Sequence, residues 1–316
     1  MRAVVFDGRL HVKDIEKPVR QKGEALVKVS IAGICNTDHE ITRGYIPDFN
    51  GILGHEFLGV VEDADDKGLI GKRVAGEINL ACGACEFCKN DLGRHCPSRS
   101  VLGIINKDGA FAEYLTLPAA NIFVIPDCIS DAQAVFIEPL AAALEIFEQV
   151  RIVQEHKVLL IGDGKLALLI ALVLKTTGCR LTMLGKHREK LSFAAAYGID
   201  TAMVEGFTKS QYDIVIEASG KPSGFMAALD CVNPRGTIVL KSTYAEPFLF
   251  NPFQIVVNEI TVVGSRCGRF EDAIRFLQSH PMPLDKLISA EFDLEDAEEA
   301  FVFSARPDVF KVLLKI

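Results

Sequence analysis

The second half of the chain alternates short apolar strands with helical segments, and this alternation constrains the fold more than any other feature of the sequence. Parallel neighbouring strands need a crossover connection, which a helix usually supplies. We therefore predict an α/β, doubly wound sheet in this half of the chain. Its expected segments are 158–161, 166–177, 180–184, 189–197, 213–218, 223–232, 237–241 and 260–264, with a further helix at 271–278.

The first 126 residues have a different pattern. Short β-branched runs at 25–31, 54–62 and 72–78 are separated by Gly, Pro and Asp, which predicts an irregular all-β region.

The segment 130–150 is predicted to be helical and to begin with a capping box of Ser130 and Gln133. Pro139 interrupts it. Because the residue before a proline avoids helical dihedral angles, we expect Glu138 at a break between two helical pieces.

A glycine-rich turn follows the first strand of the doubly wound half. It has a G-x-G-x-x-A pattern that consists of Gly162, Asp163, Gly164, Lys165, Leu166 and Ala167. Glycines at this place permit a tight turn and let a pyrophosphate approach the N-terminus of the next helix. The pattern is weak alone, but its strand-turn-helix context predicts dinucleotide binding.

The end of the second strand bears on the choice of dinucleotide. An NAD site usually has an acidic residue there for the ribose 2′-hydroxyl, whereas this chain has Gly185 followed by Lys186, His187 and Arg188. The basic residues could bind a 2′-phosphate, so the sequence favours NADP over NAD. They could also form an ordinary solvated helix start.

Four closely spaced cysteines form the sharpest motif of the chain. Cys82, Cys85 and Cys88 are separated by two residues each, and Cys96 follows after seven more. This spacing is typical of a closed, structural zinc site with four thiolate ligands. A redox cluster, an iron–sulfur site and a nucleic-acid-binding zinc knuckle are the alternatives.

A second candidate metal site combines Cys35, Thr37 and Asp38 with His55 and Glu56. A lone Cys or His is more often a packed core residue. Here a thiolate, an imidazole and a carboxylate occur within about twenty residues. Three protein ligands with one open position are typical of catalytic zinc, which acts as a Lewis acid on an oxygen atom.

Charge and composition exclude several classes of partner. The chain has 42 acidic and 34 basic residues for a net charge of −8, which gives no attraction to nucleic acid or anionic lipid. Its longest strongly apolar run, 166–174, is less than half a membrane span. The N-terminus lacks the pattern of a signal peptide, and nine cysteines do not suggest a disulfide framework. We expect a cytoplasmic protein.

With these motifs in order, the sequence resembles the zinc-containing medium-chain dehydrogenases, such as the alcohol, sorbitol and threonine dehydrogenases. The resemblance extends over nearly the whole chain. It implies a GroES-like irregular β catalytic domain at 1–126 and 267–316, which includes the zinc lobe 82–96. It also implies a Rossmann dinucleotide-binding domain at 127–266.

The resemblance assigns the ligands of the catalytic zinc. Cys35 and His55 would bind the ion, with Glu138 at the third position. Glu56 matches an acidic residue that binds zinc directly in some relatives and lies behind the ligands in others. Asp38 matches the carboxylate that orients the ligand histidine.

The resemblance also assigns residues around the substrate and the cofactor. Thr37 matches the hydroxyl that touches the substrate oxygen, and Lys311 matches a basic residue near the cofactor pyrophosphate. Many relatives have a relay histidine five positions after the ligand cysteine. This chain has Glu40 there and a histidine one position earlier, His39, which is the candidate for proton exit.

The implied activity is hydride transfer between an alcohol or polyol and NAD(P), with zinc as the second cofactor and a homodimer or homotetramer as the assembly. The alternatives are a zinc-independent quinone or enone reductase on the same fold, and a non-catalytic dinucleotide-binding redox sensor.

Overall fold

A computed structural model describes residues 1–244 and 247–316. The chain divides into two compact units, Met1–Glu138 with Arg269–Ile316 and Pro139–Gly268. The first boundary thus lies twelve residues later than the sequence suggested, because residues 127–138 pack with the first unit. Ala134, Val135 and Phe136 are almost fully buried there.

The strands carry the labels used below. They are β1 Arg2–Phe6, β2 Leu10–Asp14, β3 Glu24–Gly33, β4 Gly51–Ile52, β5 Glu56–Ala64, β6 Arg73–Gly76, β7 Asn79–Leu80, β8 Ser100–Val101, β9 Tyr114–Pro118, β10 Ile122–Val124, β11 Lys157–Ile161, β12 Arg180–Gly185, β13 Asp200–Met203, β14 Tyr212–Glu217, β15 Val232–Leu240, β16 Thr261–Gly264, β17 Ile288–Asp293 and β18 Lys311–Lys315.

The α-helices are α1 Asn36–Thr42, α2 Glu86–Lys89, α3 Asp131–Ala134, α4 Ile137–Gln149, α5 Lys165–Lys175, α6 Arg188–Ala196, α7 Pro222–Cys231, α8 Phe253–Val257, α9 Phe270–Ser279 and α10 Ala297–Ser304. Within the described residues, no helix combines the length and the apolar character needed to span a membrane.

The first unit is built on a seven-stranded mixed sheet. Its order is β10-β6-β5-β3-β18-β17, and β9 also pairs with β3. The long strand β3 lies at the centre because its inward residues are apolar, with Val27, Val29 and Ala32 almost fully buried. A three-stranded sheet, β2-β1-β4, and the short pair β7-β8 complete the β structure of this unit. The prediction of an irregular β region is confirmed.

The second unit has a six-stranded sheet in the order β13-β12-β11-β14-β15-β16, with all neighbours parallel. This is the order of a doubly wound dinucleotide-binding fold. The central strand β11 is apolar and buried, as a parallel strand covered on both faces must be. In α5, eight consecutive residues from Ala167 to Leu174 are buried. The predicted doubly wound Rossmann sheet is confirmed.

The helical segment after residue 130 differs from its prediction in one respect. The capping box is present, since Ser130 Oγ accepts from the Gln133 N–H and Gln133 Oε1 accepts from the Ser130 N–H. The break, however, lies between α3 and α4, before Glu138. Pro139 belongs to the first turn of α4, where its missing N–H leaves no hydrogen bond unmade. The predicted break at Glu138 was therefore wrong.

Candidate metal centres and dinucleotide site

The four cysteines of the lobe converge on one point. Their sulfur atoms all lie within 4.8 Å of one another. Cys85 Sγ is 3.4 Å from Cys88 Sγ and 3.8 Å from Cys96 Sγ, and Cys82 Sγ is 3.9 Å from Cys88 Sγ. Four sulfurs at about 2.3 Å from a tetrahedral zinc ion are separated by about 3.8 Å. The lobe therefore fits the closed zinc site that the spacing predicts.

The protonation of these thiols depends on their local hydrogen bonds. The backbone N–H groups of Ala84 and Cys85 lower the pKa of Cys82 to about 6. Burial and the neighbouring Cys85 raise the pKa of Cys88 to about 11. One thiol of the lobe is thus ready to bind a cation as a thiolate, and a bound metal ion would displace the protons of the others.

The second cluster forms where β3 and β5 lie side by side. Cys35 caps α1 just after β3 ends, and His55 and Glu56 stand at the start of β5, with Glu56 opposite Gly33 in the antiparallel register. Ligand atoms of Cys35, His55 and Glu56 lie within 4.8 Å of one another. A β-carbon at Gly33 would lie 2.7 Å from Glu56 Oε2, so only glycine leaves room for this carboxylate.

Asp38 holds the backbone of this cluster in place. Its Oδ2 accepts from the Cys35 N–H at 2.8 Å and its Oδ1 accepts from the Gly54 N–H at 3.2 Å. The same Oδ1 lies 3.4 Å from His55 Nδ1. Burial lowers the pKa of His55, but the charge of Asp38 outweighs it and raises that pKa well above its ordinary value. Asp38 is therefore placed to orient both the thiol and the imidazole.

Glu56 and Lys311 form a buried ion pair that the sequence did not suggest. Lys311 Nζ donates to Glu56 Oε2, and the two residues are 3% and 1% exposed. The carboxylate outweighs the effect of burial and raises the pKa of Lys311. The other oxygen, Glu56 Oε1, is buried without a hydrogen-bond partner. A buried, unpaired carboxylate oxygen beside a thiol and an imidazole fits a metal ligand.

Glu138, the predicted third ligand, lies near this cluster but outside the tight group. The pKa of Glu138 is raised to about 7; burial is the largest cause, the charges of Glu56 and Glu77 act in the same direction, and His55 and Lys311 oppose them. Glu56 rather than Glu138 joins Cys35 and His55 within 4.8 Å. The ligand role of Glu138 stays a prediction.

Two further residues of α1 were assigned roles from the sequence. The hydroxyl of Thr37 is 3.8 Å from Cys35 Sγ, so it borders the cluster. His39 is buried, its Nε2 is 2.8 Å from Ser304 Oγ, and its ring meets Phe301 edge-on. These contacts are those of a packed interior residue. The role of His39 in proton exit stays a prediction.

The glycine turn of the second unit leaves open space beside the N-terminus of α5. Gly162 has φ of +120°, and a β-carbon there would lie 2.5 Å from the carbonyl oxygen of Ala218. Gly164 caps α5, and the space where its side chain would be is open. Lys165 and Leu166 open the helix, whose N–H groups then face that space.

Asp163 places a carboxylate at the end of β12, where the sequence has Gly185 and no acidic residue. A β-carbon at Gly185 would lie 2.5 Å from Asp163 Oδ2, so the carboxylate covers the end of β12. The sequence contained one signal for this arrangement, an aspartate between the two glycines of the turn. Lys311 gave no comparable signal, because its partner Glu56 is 255 positions away.

Comparisons with known proteins agree with both units. Residues 21–127 match the alcohol dehydrogenase GroES-like domain, and residues 166–279 match the zinc-binding dehydrogenase domain. The chain is 31% identical to the starvation-sensing protein RspB of Escherichia coli, over 95% of this chain and 94% of that protein. It is 30% identical to L-threonine 3-dehydrogenase of Idiomarina loihiensis (97% and 98%) and 29% identical to D-arabinitol dehydrogenase 1 of Uromyces fabae (94% and 91%).

Two solved structures are similar over the full length of the chain. One is an alcohol dehydrogenase, rspB, of Escherichia coli complexed with NADH, with a TM-score of 0.92, 28% identity and coverage of 100% and 99%. The other is a zinc-binding dehydrogenase of Sinorhizobium meliloti bound to NADP, with a TM-score of 0.92, 26% identity and coverage of 100% and 99%. The chain therefore belongs to the medium-chain family of zinc-binding dehydrogenases.

Proposed function

We propose that this dehydrogenase is a zinc-dependent alcohol or polyol dehydrogenase that transfers a hydride between a small alcohol and NAD or NADP. The observation that carries the proposal is the cluster of half-buried Cys35 with buried His55 and Glu56, in which Glu56 Oε1 lacks a hydrogen-bond partner. Lys311 pairs with the other oxygen of this carboxylate only, and a buried carboxylate oxygen without a partner is costly unless a cation binds it. The relatives named as threonine and arabinitol dehydrogenases support a hydroxyl-bearing substrate.

The residues of the cluster have separate tasks in this proposal. Cys35, His55 and either Glu56 or Glu138 would hold the ion. When bound, zinc would supply a Lewis acid that lowers the pKa of a substrate hydroxyl. Lys311 would compete with the ion for the negative charge of Glu56, because its ammonium group already pairs with Oε2 of that carboxylate. Asp38 keeps the thiol and the imidazole in position through its backbone contacts.

Proton movement would begin at Thr37. Its hydroxyl borders Cys35, and it could accept the proton of the substrate hydroxyl and pass it on towards solvent. In the second unit, Gly162, Gly164 and the N-terminus of α5 would hold the dinucleotide, whose nicotinamide ring supplies the hydride acceptor.

Two features at the end of β12 act in opposite directions on the choice of coenzyme. Lys186 and Arg188 are exposed and basic, which favours the 2′-phosphate of NADP, as the sequence suggested. The carboxylate of Asp163 covers Gly185, which favours NAD. The expectation of NADP assumed that no acidic side chain lies at the end of β12, whereas the carboxylate of Asp163 lies there in the folded chain.

Two other functions account for fewer features of the site. A zinc-independent reductase of quinones or enones has no physical need for the cluster of Cys35, His55 and Glu56. A non-catalytic redox sensor would not need an open ligand set beside the hydroxyl of Thr37. The dehydrogenase proposal accounts for both features.

The test is turnover of an alcohol and polyol panel with NAD and NADP by zinc-loaded protein, before and after chelation. Cys35→Ala and His55→Ala should abolish turnover, whereas dinucleotide binding should persist. Cys128→Ala is the matched control, because Cys128 is an exposed cysteine of the same unit. Turnover that survives chelation, or that survives in both ligand variants, would refute the proposal.

The assembly proposed is a homodimer, or a dimer of dimers, through the edge of the parallel sheet. β16 is the edge strand, and nearby apolar side chains are exposed, with Phe253 at 63%, Val256 at 72% and Val257 at 58%. An apolar edge favours pairing with a second copy. Sedimentation of the purified protein tests this, and Val256→Lys should shift it to the monomer. A monomeric wild type would contradict the proposal.

The proposed location is the cytoplasm. The nine cysteines all lie in the described residues and form no disulfide bond with one another, and five of them belong to the two candidate metal sites. Thiolate ligands persist in a reducing compartment. Fractionation of cells that produce the tagged protein tests this proposal.

A further inference from the structure

The carboxylate of Asp163 lies at the end of β12, next to the place where the β-carbon of an acidic residue at the strand end would be. In dinucleotide-binding folds, an acidic side chain about 20 residues after the glycine turn binds the ribose 2′-hydroxyl of NAD. In this chain that position is Gly185, the last residue of β12. A β-carbon at Gly185 would lie 2.5 Å from Asp163 Oδ2 and 2.7 Å from Asp163 Cβ. The charge therefore comes from the glycine turn instead of the strand.

This carboxylate also uses the hydrogen-bond donors that surround it. Asp163 Oδ2 accepts from the backbone N–H groups of Lys186 at 2.6 Å and His187 at 2.7 Å. Asp163 Oδ1 is 3.0 Å from His187 Nδ1. Backbone N–H groups and a basic side chain in this arrangement are typical of a site for a phosphate group. Here the protein fills that site with its own anion.

Asp163 is ionised in this setting. Burial opposes its ionisation, but the N–H groups of His187 and Lys186, together with the imidazole, outweigh burial and lower the pKa of Asp163. A second anion placed beside it would meet a buried negative charge and find the donors of two residues already in use. Lys186 and Arg188 remain exposed, but they cannot remove that charge.

We infer that Asp163 is the specificity-determining residue of the dinucleotide site: it excludes a 2′-phosphate, presents a carboxylate to the ribose 2′-hydroxyl, and makes the chain prefer NAD(H) to NADP(H). This inference rests on the proposed dinucleotide binding, and it reverses the preference expected from the sequence. Gly185 is the necessary complement of Asp163, because any side chain at Gly185 would collide with the carboxylate.

The experiment is an equilibrium titration of the purified protein with NADH and with NADPH, followed by the fluorescence of the bound nicotinamide. It needs no substrate and no turnover. The wild type should bind NADH at least about tenfold more tightly than NADPH, because a 2′-phosphate would lie against the buried charge. Asp163→Asn and Asp163→Ala should reduce this ratio to about one or reverse it, as Lys186 and Arg188 then act without opposition.

Moving the carboxylate from position 163 to position 185 distinguishes an effect on coenzyme specificity from a general effect on folding. In the double variant Asp163→Gly/Gly185→Asp, the carboxylate moves from the turn to the strand end, and the preference for NADH should return; glycine is needed at position 163 because the β-carbon of Asp163 would itself lie 2.7 Å from the new β-carbon. Glu189→Gln removes the same charge from an exposed site in the first turn of α6, and it should leave the ratio of the two affinities unchanged.

The outcomes distinguish this inference from the proposed function. If the wild type binds neither nucleotide, dinucleotide binding itself fails. If the wild type binds NADPH as tightly as NADH or more tightly, the role of Asp163 is refuted while dinucleotide binding stands. An unchanged ratio in both single variants, each folded as judged by circular dichroism, would refute it equally.

Discussion

Replacing Lys311 with methionine tests whether Glu56 is held as a charged group inside the first unit. Methionine keeps much of the volume of the lysine stem but removes the ammonium that pairs with Glu56 Oε2. The carboxylate would then be buried without compensation, since Glu56 Oε1 has no hydrogen-bond partner. Breaking a buried pair in this way costs about 3–5 kcal/mol of the free energy of unfolding.

The loss of stability expected for Lys311→Met can be compared with that for an exposed ion pair whose lysine lies on the same strand, β18. Lys315 Nζ lies 2.6 Å from Glu291, with the two side chains 57% and 36% exposed. Lys315→Met should therefore cost less than about 1 kcal/mol. For a unit of this size, Lys311→Met should lower the melting temperature by about 10 °C and the control variant by about 2 °C.

Urea unfolding of metal-free protein, followed by circular dichroism, measures these differences. The double variant Lys311→Met/Glu56→Gln should be more stable than Lys311→Met alone, because it no longer contains the uncompensated charge. Saturating zinc should also restore part of the stability of Lys311→Met, because the ion supplies the missing positive charge. A cost below about 1 kcal/mol for Lys311→Met, or strictly additive costs in the double variant, would refute the reasoning.

Three further predictions follow from the geometry. Cys88→Ser should remove one of the two proposed zinc ions per chain, measured by metal analysis, because the lobe loses one corner of its tetrahedron. Gly162→Ala should cost about 1–3 kcal/mol and weaken NADH binding, measured by urea unfolding and titration, since φ is +120° and the new methyl group would lie 2.5 Å from a carbonyl oxygen. Ser304→Ala should cost about 1 kcal/mol with kcat unchanged if His39 is structural, and a fall in kcat would instead support its role in proton exit.

Local patterns were sufficient to predict much of this molecule. The alternation after residue 157 predicted the doubly wound sheet, because each strand and each helix is defined by residues next to one another in the chain. The capping box at Ser130 could be predicted for the same reason. The four-cysteine lobe could also be predicted, since all its sulfurs come from residues 82–96.

The break near Glu138 shows why a single residue preference can mislead. Proline disfavours helix in the residue before it, but it is readily accommodated in the first turn of a helix. Which effect prevails depends on where α4 begins, and the packing of Val135 and Phe136 in the first unit decides that. Sequence spacing alone does not contain this information.

The two least predictable features have one physical cause. Glu56 and Asp163 are acidic residues that must be buried, and a buried carboxylate needs donors or cations from whatever part of the chain the fold brings near. For Glu56 that partner is Lys311, from a strand at the other end of the sequence. For Asp163 the partners are the backbone N–H groups of Lys186 and His187, which every residue but proline has, together with the imidazole of His187. An acidic residue missing from its expected position is therefore weak evidence for NADP, because the charge can be supplied from another element that reaches the same point in space.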